Sequence, residues 1–228
     1  MHGEEIANGH AGNSVLVVND EPEQLELVAT LLNRAGYAVL TAIDGFDALA
    51  VARRDHPDLI ISDVLMPRIN GMDFCRQIRA DARLKTIPIL LVSALQKDTE
   101  SVVAGLRAGA DDYLEIPVDP AHLVAKVSRL LERSRLEASY RELVEQASDM
   151  IFTQDLRGRL TSINLVGQNF LGRKQEELIG ESFCAAFGII PEDNGFAGRL
   201  SPQEVKEFRH QFVARSAGGD DRWLDLIV

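Results

Sequence analysis

The chain has 228 residues (25.1 kDa), is 46% hydrophobic and 26% charged, and carries a formal net charge of −11. At roughly 100–200 residues per domain this is one large domain or two small ones, each able to bury a core, and it is too apolar for a disordered chain. No uncharged apolar run is long enough to cross a bilayer, and residues 1–13 lack a secretion signal's apolar stretch, so they read as a flexible start of a cytoplasmic protein.

Charge and cysteine usage narrow the partners. Residues 1–120 hold 19 acids against 10 bases (net −9), and residues 121–228 hold 16 against 14 (net −2). Nucleic-acid binding draws on phosphate neutralisation by Lys and Arg, so no nucleic-acid partner is expected, and the missing apolar span excludes a membrane one. Cys75 and Cys184 stand far apart without CxxC spacing, which fits a reducing cytoplasm and neither a disulfide scaffold nor a zinc finger.

In chain order, residues 15–18 (VLVV) form a compact β-branched run, closed by Asn19, Asp20, Glu21 and Pro22. Proline suits a helix's first turn and acids suit its N-terminal dipole. Leu25, Val28, Leu31 and Leu32 then recur at helical spacing until Gly36. The alternation continues with strands at 38–42, 59–62, 87–92 and 113–114, and helices at 46–55, 72–79 and 100–108, with a further helix starting near 119. Strands that are apolar throughout are buried on both faces, as in parallel sheets with helices on either side. The expected fold is an α/β, flavodoxin-like, doubly wound sheet of five parallel strands, with its working site at the carboxyl ends of the strands.

That rule selects Asn19 and Asp20 after the first strand, Asp63 after the third, Ser93 after the fourth, and Ile116 and Pro117 after the fifth. Hard oxygen ligands at one edge suit Mg²⁺, and a carboxylate beside Mg²⁺ can carry an aspartyl phosphate. Either acid alone would be read as a helix cap. Together with Ser93 they favour a shared site. A dehalogenase-type aspartyl hydrolase would want a second acid two residues after the nucleophile, where Leu65 stands.

The segments VLVVNDEPEQLELVATLL, DLIISDVLMPRINGMDFCRQIR, IPILLVSA and GLRAGADDYLEIPVDP resemble the receiver domain of two-component response regulators over residues 14–133. The resemblance implies Asp63 as phosphoacceptor, Asp20 and the Leu65 backbone carbonyl as further Mg²⁺ ligands, and Ser93 and Tyr113 as switch residues. It also implies a histidine kinase or phosphotransfer protein as partner. Two positions depart from the pattern: Asn19 replaces an acid and Ile116 replaces a lysine, the latter before Pro117, whose preceding bond is a cis candidate. Three acids plus one lysine carry −2, as do Asp20 and Asp63 alone, so Mg²⁺ can still balance the pocket, with Asn19 as a neutral oxygen ligand. The competing reading is a pseudo-receiver, a docking or dimerisation module that works without phosphorylation.

From residue 119 to 147 one long helix is expected, running from the receiver into a connector; its basic stretch 121–141 reads as a solvated face. Leu123, Val127 and Leu130, then Leu136, Tyr140, Leu143 and Ala147, follow 4–3 spacing with a phase slip between the two sets. A homodimer through this helix is the hypothesis, against a helix lying on its own domains. Beyond it, residues 148–228 change texture: hairpin strands at 150–154 and 160–163 about Gly158, short helices through Phe170 and at 176–179, then strands at 207–215 and 222–228. This region resembles a PAS sensor domain, an α+β fold with an antiparallel sheet, and is expected to lack that family's last strand, as the N-terminal part of a longer sensor or hybrid histidine kinase.

No haem or flavin is indicated: Cys184 lies outside the flavin-reactive pattern of light-sensing relatives, and His210 sits on a strand. Gly218, Gly219, Asp220 and Asp221 look like a hairpin turn, with too little chain following for a cyclase, and no kinase phosphoacceptor histidine or ATP loop is visible.

Overall fold

A computed structural model describes residues 12–93, 99–115, 117, 119–188, 209–215, 218 and 221–227. They fall in two units, Met1–Glu137 and Ala138–Val228. The first unit alternates β1 (Ser14–Val18), α1 (Pro22–Arg34), β2 (Ala38–Ala42), α2 (Gly45–Asp55), β3 (Leu59–Asp63), α3 (Gly71–Ala80), β4 (Ile89–Ser93), α4 (Thr99–Arg107) and β5 (Asp112–Glu115). The helix α5 (Pro120–Gln146) continues into the second unit.

All five strands are parallel, in the order β2-β1-β3-β4-β5, as expected of a doubly wound sheet. The period-2 geometry of a strand sorts their side chains into two cores. Leu16, Val18, Ile60, Ile89 and Leu91 pack with Ala48, Leu49, Phe74 and Ile78 of α2 and α3. Val15, Val17, Leu59, Ile61, Leu90 and Val92 pack with Leu32 of α1 and Leu123, Val127, Leu130 and Leu131 of α5. Each fully buried aliphatic side chain contributes about 1.5–3 kcal/mol. The apolar strands β1, β3 and β4 are the central ones, while the edge strands β2 and β5 are more exposed.

Beyond shifts of a residue or two at element ends, several details differ from the sequence expectation. Strand β4 starts at Ile89, because Pro88 lacks an amide for the ladder. Asn13 belongs to the fold: it is buried, its carbonyl accepts the Ala38 N–H at 2.9 Å, and its side chain bonds Arg135. The basic stretch of α5 is also more than a solvated face, since Lys126 and Arg129 both reach Asp112 at 2.7 Å and Arg133 pairs with Glu137 at 2.8 Å.

The second unit contains the ribbon β6 (Phe152–Gln154) with β7 (Leu160–Ile163), three short helices α6 (Leu165–Leu171), α7 (Gln175–Leu178) and α8 (Phe183–Ala186), and the ribbon β8 (Arg209–Arg215) with β9 (Asp221–Ile227). Both ribbons are antiparallel, and each is a separate two-stranded sheet. Phe152 stacks on Phe183, and Phe187 lies tilted against both, its centroid 4.6 Å from that of Phe183, among Leu160, Ile163, Leu171 and Leu178. Asn164 ties this unit together. It is buried, its Oδ1 accepts the N–H of Ile151 (3.0 Å) and of Gly167 (3.2 Å), and its Nδ2 donates to the carbonyls of Val144 (3.0 Å) and Asp149 (2.9 Å).

Candidate functional site

Strands β1, β3 and β4 are neighbours, so the residues that follow them share one edge of the sheet. The register sets Val18 beside Ser62 and Asp63 beside Val92. Asp63 is the last residue of β3 and is half-buried. Its Oδ1 accepts the Leu65 N–H at 3.3 Å. Burial pushes its carboxyl above the usual carboxylate range, the Leu65 and Val64 N–H groups draw it back, and the charges of Asp20 and Glu21 push it up again. The charges of Asp20 and Glu21 thus bear on the Asp63 carboxylate at this edge.

Neither Asp20 nor Asp63 caps a helix. The N-cap of α1 is Glu21, which makes no side-chain cap bond, and that of α3 is Asn70, whose Oδ1 accepts the Asp73 N–H at 2.9 Å. Asn19 is buried with its amide engaged: Oδ1 accepts the Glu21 N–H at 2.8 Å and Nδ2 donates to Gln24 Oε1 at 3.4 Å. Gln24 in turn donates to the Glu21 carboxylate. In the sequence Glu21 reads only as an acid at a helix N-terminus. Only the turn after β1 brings its charge to bear on Asp63.

The remaining residues divide. Ser93 ends β4, is fully buried and sits opposite Glu115 in the ladder. Tyr113 on β5 is half-buried against the α2–α3 side core, and a Cβ on Gly105 of α4 would lie 3.6 Å from its ring. Leu65 follows Asp63 by two residues, with an exposed side chain. Pro117 is exposed, and Ile116 lies outside the described residues.

The loop between β3 and α3 is closely held. The Val64 N–H reaches the Val92 carbonyl and the Gly71 N–H reaches the Val64 carbonyl, both at 3.0 Å. A Cβ on Gly71 would lie 2.2 Å from the Asp63 carbonyl oxygen, so only glycine lets α3 begin there. Arg68 has φ 68°, a left-handed conformation that costs a side-chain-bearing residue roughly 1–2 kcal/mol. The Ile69 N–H donates to the Pro67 carbonyl at 2.8 Å, which makes Arg68 the centre of a γ-turn of the rarer, strained hand.

Mg²⁺ takes one or two carboxylates and completes its shell with water and phosphate oxygens. The Asp63 carboxylate, with the Asp20 charge bearing on it and the Leu65 backbone beside it, is a fitting start to such a donor set. Among the described residues no group of three or more His, Cys, Asp or Glu side chains forms a ready-made cage.

The family model described as "Response regulator receiver domain" matches residues 15–128. The chain is 39% identical over 129 residues to the alkaline phosphatase synthesis transcriptional regulatory protein PhoP of Bacillus subtilis (strain 168), covering 57% of this chain and 52% of that one. Among solved structures, it is similar to the signal receiver domain of a signal transduction histidine kinase from Syntrophus aciditrophicus, with 36% identity and TM-score 0.50, over 53% of this chain and 91% of that one. The Vibrio cholerae chemotaxis protein CheY4 is similar at 35% identity and TM-score 0.50, over 53% of this chain and 99% of that one. The chain spans about half the length of the curated relatives it matches.

Proposed function

This chain belongs to the response regulator receiver family of two-component signalling, and from that premise we propose that Asp63 accepts a phosphoryl group in the presence of Mg²⁺. The observation that carries the proposal is the position of Asp63: it ends a central strand, caps no helix, and lies half-buried in the repulsive field of Asp20 and Glu21. Asp20, Asp63 and the Leu65 carbonyl would hold Mg²⁺, which when bound neutralises carboxylate and phosphoryl charge together. The Asp63 carboxylate attacks the phosphorus of the donor in line, the phosphoryl group passes to its oxygen, and the leaving group keeps the bonding electron pair. Ser93 and Tyr113 act as the switch, the hydroxyl meeting the new phosphoryl oxygens and the ring following it. A histidine kinase or phosphotransfer protein is the donor.

In the same proposal α5 carries the change to a second unit of PAS type. The order of hairpin, short helices and hairpin read from residues 148–228, with the β6–β7 ribbon, the short helices and the β8–β9 ribbon, supports that assignment. The exposed apolar stripe of Leu136, Tyr140 and Leu143 at coiled-coil spacing supports a second copy of this chain as the partner of α5. No helix among the described residues is long and apolar enough to cross a membrane. The sensor or hybrid kinase context is likewise our reading, supported by the kinase receiver among the similar structures.

A phosphorylation-independent docking module is the second reading, favoured by isoleucine at position 116 and by the engaged amide of Asn19. Amide spectra recorded with Mg²⁺ and beryllofluoride separate the two. Shifts at Asp63, Leu65, Ser93 and Tyr113 are expected; their absence leaves the docking module.

A further inference from the structure

We propose that Asp44 and Arg68 form a strut that positions the β3–α3 loop, and with it the Leu65 carbonyl, for the divalent cation; this rests on the reading of Asp63 as a Mg²⁺-dependent phosphoacceptor. Asp44 is 2% exposed and sits at the N-cap of α2, where Oδ1 accepts the N–H of Phe46 at 2.8 Å and of Asp47 at 2.9 Å. Its other oxygen pairs with the guanidinium of Arg68. A buried carboxylate needs such a partner, and the partner here comes from the loop that leaves Asp63.

Two further observations show that this contact fixes the loop. Gly45 begins α2 with no clearance, since a Cβ there would lie 2.8 Å from the Ile69 carbonyl oxygen and 2.9 Å from the Ile69 Cβ, so the loop backbone is seated on the helix's first turn. Arg68 also holds its γ-turn at φ 68°, where glycine would fit without strain. The side chain retained at that conformational cost is the one that reaches Asp44. Strain persists only where surrounding contacts over-determine the backbone, and these do.

Arg68 and Asp44 are positioning residues that act through Leu65, five and two residues along the chain from Asp63 being the Arg68 and Leu65 positions respectively. Mg²⁺ demands near-ideal octahedral geometry and tolerates little ligand drift. A loosened loop therefore weakens the metal step and leaves phosphoryl transfer at saturating metal intact.

The test measures acetyl-phosphate-driven phosphorylation of the full chain against MgCl₂ concentration, with thermal midpoints recorded in parallel. In Arg68→Gly the strain and the pair both go; in Asp44→Asn the cap acceptor stays and the charge goes. Both are expected to raise the half-saturating Mg²⁺ about tenfold, the lower end of the effect of losing a ligand-orienting partner, at an unchanged maximal rate. Arg68→Lys, which keeps the charge, falls between them and the wild type. Unchanged half-saturation in folded variants, whatever their thermal midpoints, overturns the strut. A wild type that takes no phosphoryl group at any Mg²⁺ concentration refutes the phosphoacceptor reading instead. The strut is then read from amide exchange of Ile69 and Gly71 without metal, where faster exchange in Asp44→Asn supports it and equal exchange rejects it.

Discussion

Gly71→Ala addresses how α3 is pressed against the strand that ends in Asp63. The added methyl would lie 2.2 Å from the Asp63 carbonyl oxygen, 3.0 Å from Val64 Cα and 3.1 Å from the Asp63 carbonyl carbon. The first contact is more than an ångström inside the optimal separation of about 3.5–4.0 Å, and the other two are inside it by about half an ångström or more. Every atom it meets is backbone, so no side-chain rotation relieves the clash; α3 or the end of β3 must move. Overpacking costs about 1–3 kcal/mol and occasionally more, and this contact belongs at the top of that range, about 3 kcal/mol. With a urea slope of about 1–3 kcal/mol/M, the midpoint of the receiver unit falls by about 1–3 M. The assay is a urea titration followed at backbone amides of β1, β3 and β4, which isolates this unit from the second one. Gly36→Ala is the control: its φ is 92° but nothing lies within 4 Å of the added atom, so only the backbone cost of about 1–2 kcal/mol applies. A Gly71→Ala midpoint no lower than that of Gly36→Ala would refute the close-approach reasoning.

Further outcomes follow from other parts of the molecule. Burial and neighbouring acids hold the Asp63 carboxyl above the usual carboxylate range, so ionised Asp63 opposes folding at neutral pH, and the penalty vanishes below that range. Asp63→Asn is therefore expected to raise the thermal midpoint at pH 7 in chelator, to lose that advantage near pH ~3, and to respond less to Mg²⁺ than wild type; equal midpoints at pH 7 contradict this. Asn164→Ala leaves two N–H groups and two carbonyls without their partner and is expected to cost the second unit about 2–4 kcal/mol, seen as lost amide protection in β6 and β7 with β1 and β3 unaffected. Cys75 is fully buried and burial pushes its thiol up to about 12, so an aromatic disulfide reagent at mild alkaline pH should label Cys184 alone until urea unfolds the first unit. Early labelling of Cys75 contradicts the packed α3 core.

Much of the sheet could be read from the sequence because its three central strands are uniformly apolar and its helices carry 3.6-residue periodicity. The ends of β1, β3 and β4 follow from the same pattern, which is why Asp20, Asp63 and Ser93 stood out as strand-end residues. Less visible were features set by turns rather than by periods. Glu21 reaches the field of Asp63 only through the Asn19 turn. Arg68 occupies a left-handed position that sequence rules reserve for glycine, so nothing in its identity announced the γ-turn or the pairing with Asp44. The basic residues Lys126 and Arg129 look like solvent-facing charge until β5 brings Asp112 beneath them. Helix α8, four residues long, is too short for any periodicity to register and is defined by its Ser182 cap, whose hydroxyl accepts the Ala185 N–H at 3.2 Å.

Asp63 is expected to take a phosphoryl group although residue 19 is asparagine and residue 116 isoleucine. Intact-mass spectrometry of the full chain after incubation with acetyl phosphate and MgCl₂ tests it directly. One added phosphoryl group is expected on the wild type, removed by hydroxylamine as an acyl phosphate is, and none on Asp63→Asn or in chelator. An unmodified wild type, or an adduct that persists in Asp63→Asn, contradicts it.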